Sequence, residues 1–221
     1  MPLLKYPRKF VSFWQEWEIK AQKFGLRKKI LSVSGDEYKG EWLNNMKHGT
    51  GVYIYKKKAC MYEGEWENDK RSGKGTYSVK DPITGVYRMV YQGLWKNGKR
   101  HGFGTQYYKD AAVYEGDWED GKRSGCGRLY LANGNIYEGE WLDDKYNGQG
   151  MLRLANENRY EGSWKDGMKH GLGSFHYLNK GWLYEGVWEK DIPTCGTMTD
   201  FAREEAPSPP MYPIPVLGIK L

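Results

Sequence analysis

Tyr62-Glu63-Gly64-Glu65-Trp66-Glu67-Asn68-Asp69-Lys70-Arg71-Ser72-Gly73-Lys74-Gly75 is the stretch that decides how this chain folds. Its frame is Tyr-x-Gly-x-Trp, six residues, then Gly-x-Gly. The frame starts at Tyr38, Tyr62, Tyr91, Tyr114, Tyr137, Tyr160 and Tyr184, at intervals of 24, 29, 23, 23, 23 and 24 residues. The one long interval carries six extra residues near Asp81 to Met89. Six copies are complete. The seventh keeps Tyr184, Gly186 and Trp188 but places Cys195 and Thr197 where the two glycines are expected. The frame absorbs 19 of the 29 glycines and seven of the ten tryptophans, so the repeat alone explains the unusual composition. A fixed period of this length marks a repeat architecture.

In a strand, positions i, i+2 and i+4 share a face, so Tyr, Gly and Trp of each frame point the same way. The returning glycines and the positions after them share a face too, as in Gly49, Gly51, Tyr53, Tyr55 and in Gly150, Leu152, Leu154. Each repeat therefore reads as a β-hairpin with one aromatic face, on which glycine leaves room for a ring. The residues of that face are Tyr38, Trp42, Tyr62, Trp66, Tyr91, Trp95, Tyr114, Trp118, Tyr137, Trp141, Tyr160, Trp164, Tyr184 and Trp188. One hairpin is marginal in water, and stacking buries each ring against the next unit. Turn signals such as Ser34-Gly35-Asp36 and Ala132-Asn133-Gly134-Asn135 separate the units. The expectation is an all-β fold: an elongated, single-layer antiparallel sheet of about seven tandem hairpins. At two strands per repeat it rises about 9–10 Å per repeat and roughly 65 Å in all.

The sequence divides into an N-terminal segment (1–35), the repeat array (36–198) and a Pro-rich tail (199–221). Residues 12–24 read as a short amphipathic helix, with Phe10, Phe13, Trp14, Trp17, Ala21 and Phe24 on one side. Ser12 and Gln15 suit its start and Gly25 its stop. It either covers the open edge at the first repeat or docks another protein through Phe13, Trp14 and Trp17. Residues 206–215 hold five prolines and suit a polyproline-like segment, bound by a partner or lying along the chain's own sheet.

The net charge of +6 is mildly basic. It permits an acidic partner without requiring one. Cys60, Cys126 and Cys195 form no metal-type spacing and fit a reducing compartment. The opening MPLLKYPRKFVSF has no continuous apolar stretch, so no signal peptide is expected, and no apolar run approaches a membrane span. A cytoplasmic protein is expected.

Paired acids at Glu63/Glu65, Glu115/Asp117 and Glu138/Glu140 recur at one repeat position. A catalytic pair needs one unique site with two divergent environments, so these read as solvated carboxylates facing cross-strand bases. His48, His101 and His170 sit in separate repeats and do not suggest a shared metal. No nucleophile arrangement or phosphate loop is found, so no catalytic residue, cofactor or metal is expected. Base stacking by the rings competes with inter-repeat packing, so no nucleic acid is expected either. Lys47, Lys70, Arg71, Lys99, Arg100, Lys122, Arg123, Lys145 and Lys169 follow the tryptophans and are expected to form one basic row along the hairpin turns, interrupted by Asp69, Asp120, Asp143 and Asp166. Such a row suits anionic lipid or an acidic protein, or serves turn formation and solubility alone.

The frame resembles the MORN (membrane occupation and recognition nexus) repeat, most closely in YEGEWENDKRSGKG (62–75) and YEGDWEDGKRSGCG (114–127). Gln92 and Leu94 depart from it by replacing acids in the third repeat. The family includes junctophilins, plant phosphatidylinositol-phosphate kinases and radial-spoke and other ciliary proteins, whose repeats attach to membranes or organise assemblies. WQEWEIKAQKFGLRKKI (14–30), GMLRLANENRYEGSW (150–164) and CGTMTDFAREEAPSPPMYPIP (195–215) are not dictated by the hairpin, and they resemble a sperm- and cilia-associated branch of that family. The resemblance implies a non-catalytic scaffold in the cytoplasm, at the sperm flagellum or the motile-cilium axoneme. Axonemal or flagellar-assembly proteins, tubulin included, are the implied partners. Binding of phosphoinositide or other anionic membrane through the basic hairpin turns is the alternative, and self-association through sheet edges stays open.

Overall fold

The computed structural model describes residues 22–200. Their strands are β1 (Gly25–Leu31), β2 (Glu37–Leu43), β3 (Met46–Tyr55), β4 (Cys60–Glu67), β5 (Lys70–Lys80), β6 (Tyr87–Lys96), β7 (Lys99–Tyr107) and β8 (Val113–Glu119). They continue as β9 (Lys122–Tyr130), β10 (Ile136–Leu142), β11 (Lys145–Arg153), β12 (Arg159–Lys165), β13 (Met168–Tyr177), β14 (Trp182–Glu189) and β15 (Ile192–Asp200). Every strand pairs antiparallel with its neighbours in sequence, in one open sheet. The expected all-β architecture is the one observed. Phe13, Trp14, Trp17 and the Pro-rich tail beyond Asp200 lie outside the described residues, as does most of the expected helix over 12–24, while Thr199 and Asp200 belong to β15. Its last positions, 22–24, are not helical.

Each hairpin closes through two residues that both have positive φ: Asn44-Asn45, Asn68-Asp69, Asn97-Gly98, Asp120-Gly121, Asp143-Asp144, Asp166-Gly167 and Lys190-Asp191. This is the turn whose twist matches that of the flanking strands. Past the turn the return strand bulges. Gly40 pairs with Gly51 and Trp42 with Lys47, so Glu41 faces three residues, His48, Gly49 and Thr50. The first glycine of Gly-x-Gly supplies the required left-handed residue, with φ from 57° at Gly73 to 81° at Gly171.

The other two glycines of each repeat have a steric reason. A Cβ at Gly75 would overlap Tyr62 Oη, and one at Gly64 would overlap the Cα of Gly75. Tyr62 therefore lies flat across a pair of facing glycines, and its hydroxyl donates to the Glu65 carbonyl at 3.0 Å. The next repeat's tryptophan closes against that tyrosine. From Tyr38 to Trp188 the Tyr and Trp rings alternate in one edge-to-face series, with centroids 5.1–5.6 Å apart. Tyr184 ends the series, 5.4 Å from Trp188. This stack is the core of a single layer, and within it Tyr62, Tyr114, Tyr137 and Tyr160 are fully buried although the described residues place no second layer above them.

Three features differ from the sequence expectation. First, the sheet starts before the array. Gly25 (φ 70°) pairs with Trp42, and Arg27 with Gly40, the register in which Gly49 meets Trp66 and Gly51 meets Gly64. β1 is thus the return strand of a half-repeat, which explains why Gly25 follows a strand's logic rather than a helix stop. Second, the seventh repeat is less degenerate than its spacing suggests. Its bulge is one residue shorter, so Trp188 pairs with Pro193 and Gly186 with Gly196, and Gly196 takes the place of the second glycine. Third, the extra residues near Asp81 to Met89 lengthen a hairpin: β5 and β6 pair out to Lys80–Tyr87, with one register shift opposite Tyr77/Ser78.

Candidate interaction site

All fourteen expected ring residues lie on one face, and all but Tyr184 are buried. The rings hold the repeats together, so what the face presents is the layer above them. Burial pushes the tyrosine pKa values up, to about 12 at Tyr53, Tyr77 and Tyr160 and further at Tyr62, Tyr114 and Tyr137. The phenols are neutral hydrogen-bond donors and carry no chemistry at ordinary pH.

The basic residues do not form one row. A residue directly across from a tryptophan shares its face: Lys47, Arg71, Arg100, Arg123 and Lys169 pair with Trp42, Trp66, Trp95, Trp118 and Trp164. Each half-buried cation lies over the tryptophan of the following repeat. The guanidinium carbons of Arg71, Arg100 and Arg123 stand 4.1, 4.0 and 4.2 Å from the rings of Trp95, Trp118 and Trp141, and Lys169 Nζ stands 5.0 Å from Trp188. Lys23 repeats the arrangement at the start of the sheet, 4.7 Å over Trp42. In the fifth hairpin Tyr146 takes the position and packs 5.3 Å from Trp164. Lys70, Lys99, Lys122 and Lys145 are the residues just before, and strand alternation sends them to the opposite face. There Lys122 reaches Asp143 at 2.9 Å and Lys145 reaches Asp166 at 3.0 Å, across exposed turns. The spacing of two adjacent bases could not show that a strand, not the turn, carries them.

Every repeat locks to the next at this position. The second turn residue donates its N–H to the carbonyl of the preceding cation, as Asp69 to Lys47 (3.0 Å), Gly98 to Arg71 (2.9 Å) and Gly121 to Arg100 (2.9 Å). The arginines answer: Arg71 Nη2 donates to the Gly98 carbonyl at 2.6 Å and Arg100 Nη2 to that of Gly121 at 2.7 Å. Each tryptophan Nε1 from Trp66 to Trp188 donates to the carbonyl of a second glycine, Trp118 to Gly104 at 3.1 Å for instance.

The paired acids split in role. Glu138 meets Arg128 at 2.8 Å, as expected of cross-strand charge. The second acid of a pair caps the bulge instead: Glu65 accepts from Lys74 N (2.9 Å), Asp117 from Cys126 N (3.2 Å) and Glu140 from Gln149 N (3.0 Å). Glu41 does the same for Thr50, and these hydrogen bonds lower its pKa. Leu94 stands at the capping position of the third repeat, and with Phe103 it exposes apolar surface in a shallow cleft of about 600 Å³ on the face opposite the rings. Among the described residues no group of three or more His, Cys, Asp and Glu could hold a metal.

The MORN repeat family model matches residues 38–59, 62–79, 91–112, 114–136, 137–159 and 160–181. The chain is 63% identical to MORN repeat-containing protein 3 of Xenopus laevis over 219 residues, 99% of this chain and 92% of that protein. The proteins of the same name in Homo sapiens and Mus musculus are 64% and 62% identical over 99% of this chain and 91% of their own lengths. MORN repeats are not known as an enzyme family, and they serve as interaction modules. With six of its hairpins matched by the repeat model and near full-length similarity to such relatives, this chain belongs to the MORN-repeat family.

Proposed function

We propose that this protein is a non-catalytic adaptor that organises protein assemblies of the sperm flagellum or motile-cilium axoneme. The observation that supports it best is the single unbroken sheet. The repeated tyrosines and tryptophans, with most of the basic residues after them, hold one repeat to the next, the second acids close the bulge within each repeat, and what remains is a long surface on which the described residues place no unique reactive centre. The flagellar setting rests on the resemblance of 14–30, 150–164 and 195–215. The test is proximity labelling by the full chain in spermatogenic or ciliated cells. Enrichment of axonemal or flagellar-assembly proteins, tubulin among them, is expected. Recovery of membrane-contact proteins alone would overturn the adaptor and favour the anionic-lipid reading. A companion deletion of residues 1–21 keeps Lys23 over Trp42 and leaves β1 in place. Loss of partners in that variant would assign the contact to the N-terminal segment, and their retention would assign it to the sheet.

A further inference from the structure

The array supplies its own comparison for the cations on the ringed face. Where the second turn residue is Asp, its carboxylate serves the preceding repeat's cation. Asp69 pairs with Lys47 at 2.5 Å and also accepts the Lys47 N–H at 3.0 Å. Asp144 pairs with Arg123 Nε at 3.0 Å and accepts the Arg123 N–H at 3.0 Å. Asp191 accepts the Lys169 N–H at 2.9 Å. In the two hairpins between, this turn residue is Gly98 or Gly121, and among the described residues no carboxylate lies within ion-pair distance of Arg71 or Arg100. The field of Asp144 reaches Arg100, but that carboxylate is bound to Arg123. Arg100 spends two of its five N–H donors on Gln106 Oε1 and the Gly121 carbonyl, and Arg71 one on Gly98. The two arginines line one cleft of about 330 Å³ together with Tyr77, Tyr91, Trp95 and Gln106.

We propose that this cleft receives two carboxylates of an acidic partner peptide, one at Arg71 and one at Arg100, each in the place that an aspartate fills in neighbouring repeats. Half-burial against tryptophan suits a charge-assisted, bidentate contact, which a planar guanidinium makes and an ammonium does not. The two arginines stand two strands apart, about 10 Å. Acids three residues apart in a polyproline-II chain lie on one side of it and span about 9 Å. The occupant is therefore a segment of the type acid-x-x-acid crossing the strands. The proposal rests on the adaptor reading and names the chemistry of one partner contact.

The decisive variant adds the missing groups and removes nothing: Gly98→Asp with Gly121→Asp. A Cβ at either glycine meets open space, and Asp69 and Asp144 hold the same turn position at φ 66° and 69°. The fold is kept and each arginine is answered from within. The probe is a short fluorescein-labelled peptide with two glutamates three residues apart, compared with the same peptide carrying glutamines, by fluorescence anisotropy. The parent is expected to bind the glutamate peptide about tenfold or more tighter. G98D/G121D and Arg71→Gln/Arg100→Gln are each expected to lose about that factor. Equal binding of the two peptides, or undiminished binding by G98D/G121D with a native circular-dichroism spectrum, would overturn the proposal. So would binding of phosphatidylserine vesicles with none of peptide. Axonemal neighbours in cells without peptide binding would sink this inference and leave the adaptor standing, while peptide binding without axonemal neighbours would do the reverse.

Discussion

Trp118 shows how much one residue of the frame carries. It is 3% exposed, meets Tyr114 and Tyr91 edge-on at 5.1 and 5.5 Å, donates to the Gly104 carbonyl and supports Arg100. Removing it breaks the ring series between two repeats and leaves a buried carbonyl without its donor. Trp118→Ala is expected to cost about 3–5 kcal/mol, as buried aromatic truncations do. Leu172→Ala, at a position 72% exposed, is expected to change stability by less than about 0.5 kcal/mol. Urea unfolding of the two variants beside the parent checks both. A Trp118→Ala protein as stable as the parent would disprove the ring series as the source of cohesion.

At the scale of the hairpin, the two-residue turn sets strand twist and the bulge sets register. The first turn position has φ between 49° and 53° in all seven hairpins, and it is Asn or Asp in six of them. Lys190 is the exception, at φ 50°. A left-handed backbone costs an ordinary side chain roughly 1 kcal/mol, which Asn largely avoids. Lys190→Asn is therefore expected to stabilise the last hairpin by about 0.5–1 kcal/mol. Thermal unfolding followed by tryptophan fluorescence would show the rise in midpoint, since Trp188 belongs to that hairpin.

The described residues form a one-dimensional stack in which β1 and β15 are each paired with a strand on one side only. β15 is exposed along its entire length, whereas the Tyr and Trp of β8, β10 and β12 are buried between neighbours. Repeat arrays lose cooperativity from their ends inward. Amide exchange is expected to be fastest in β15 and β1 and slowest in β8 to β12, measured by mass spectrometry on the intact chain. Uniform protection across the fifteen strands would contradict this. Among the described residues no second layer covers the sheet, so both faces are open, one carrying Arg71 and Arg100, the other Leu94 and Phe103.

The period of Tyr, Gly and Trp determined the hairpins, their shared face and their order, because each residue type there has one local reason that recurs unchanged: a ring needs a glycine beneath it and another ring beside it. Turn chemistry was equally written in Asn97-Gly98, Asp120-Gly121 and Asp166-Gly167, a pair type that marks a hairpin on its own, whereas the bases that follow these pairs belong to the return strands. Register was not legible. A bulge of three residues against Glu41, and of one fewer in the last repeat, depends on which backbone groups find partners across the sheet. That register alone sends Arg71 to the ringed face and Lys70 to the other. It also gives Gly196 a glycine's place and makes β1 part of the sheet without a frame of its own. Whether a cation is answered by a carboxylate is decided between repeats about twenty residues apart, so only the tertiary structure could set Arg71 and Arg100 apart from Lys47 and Arg123.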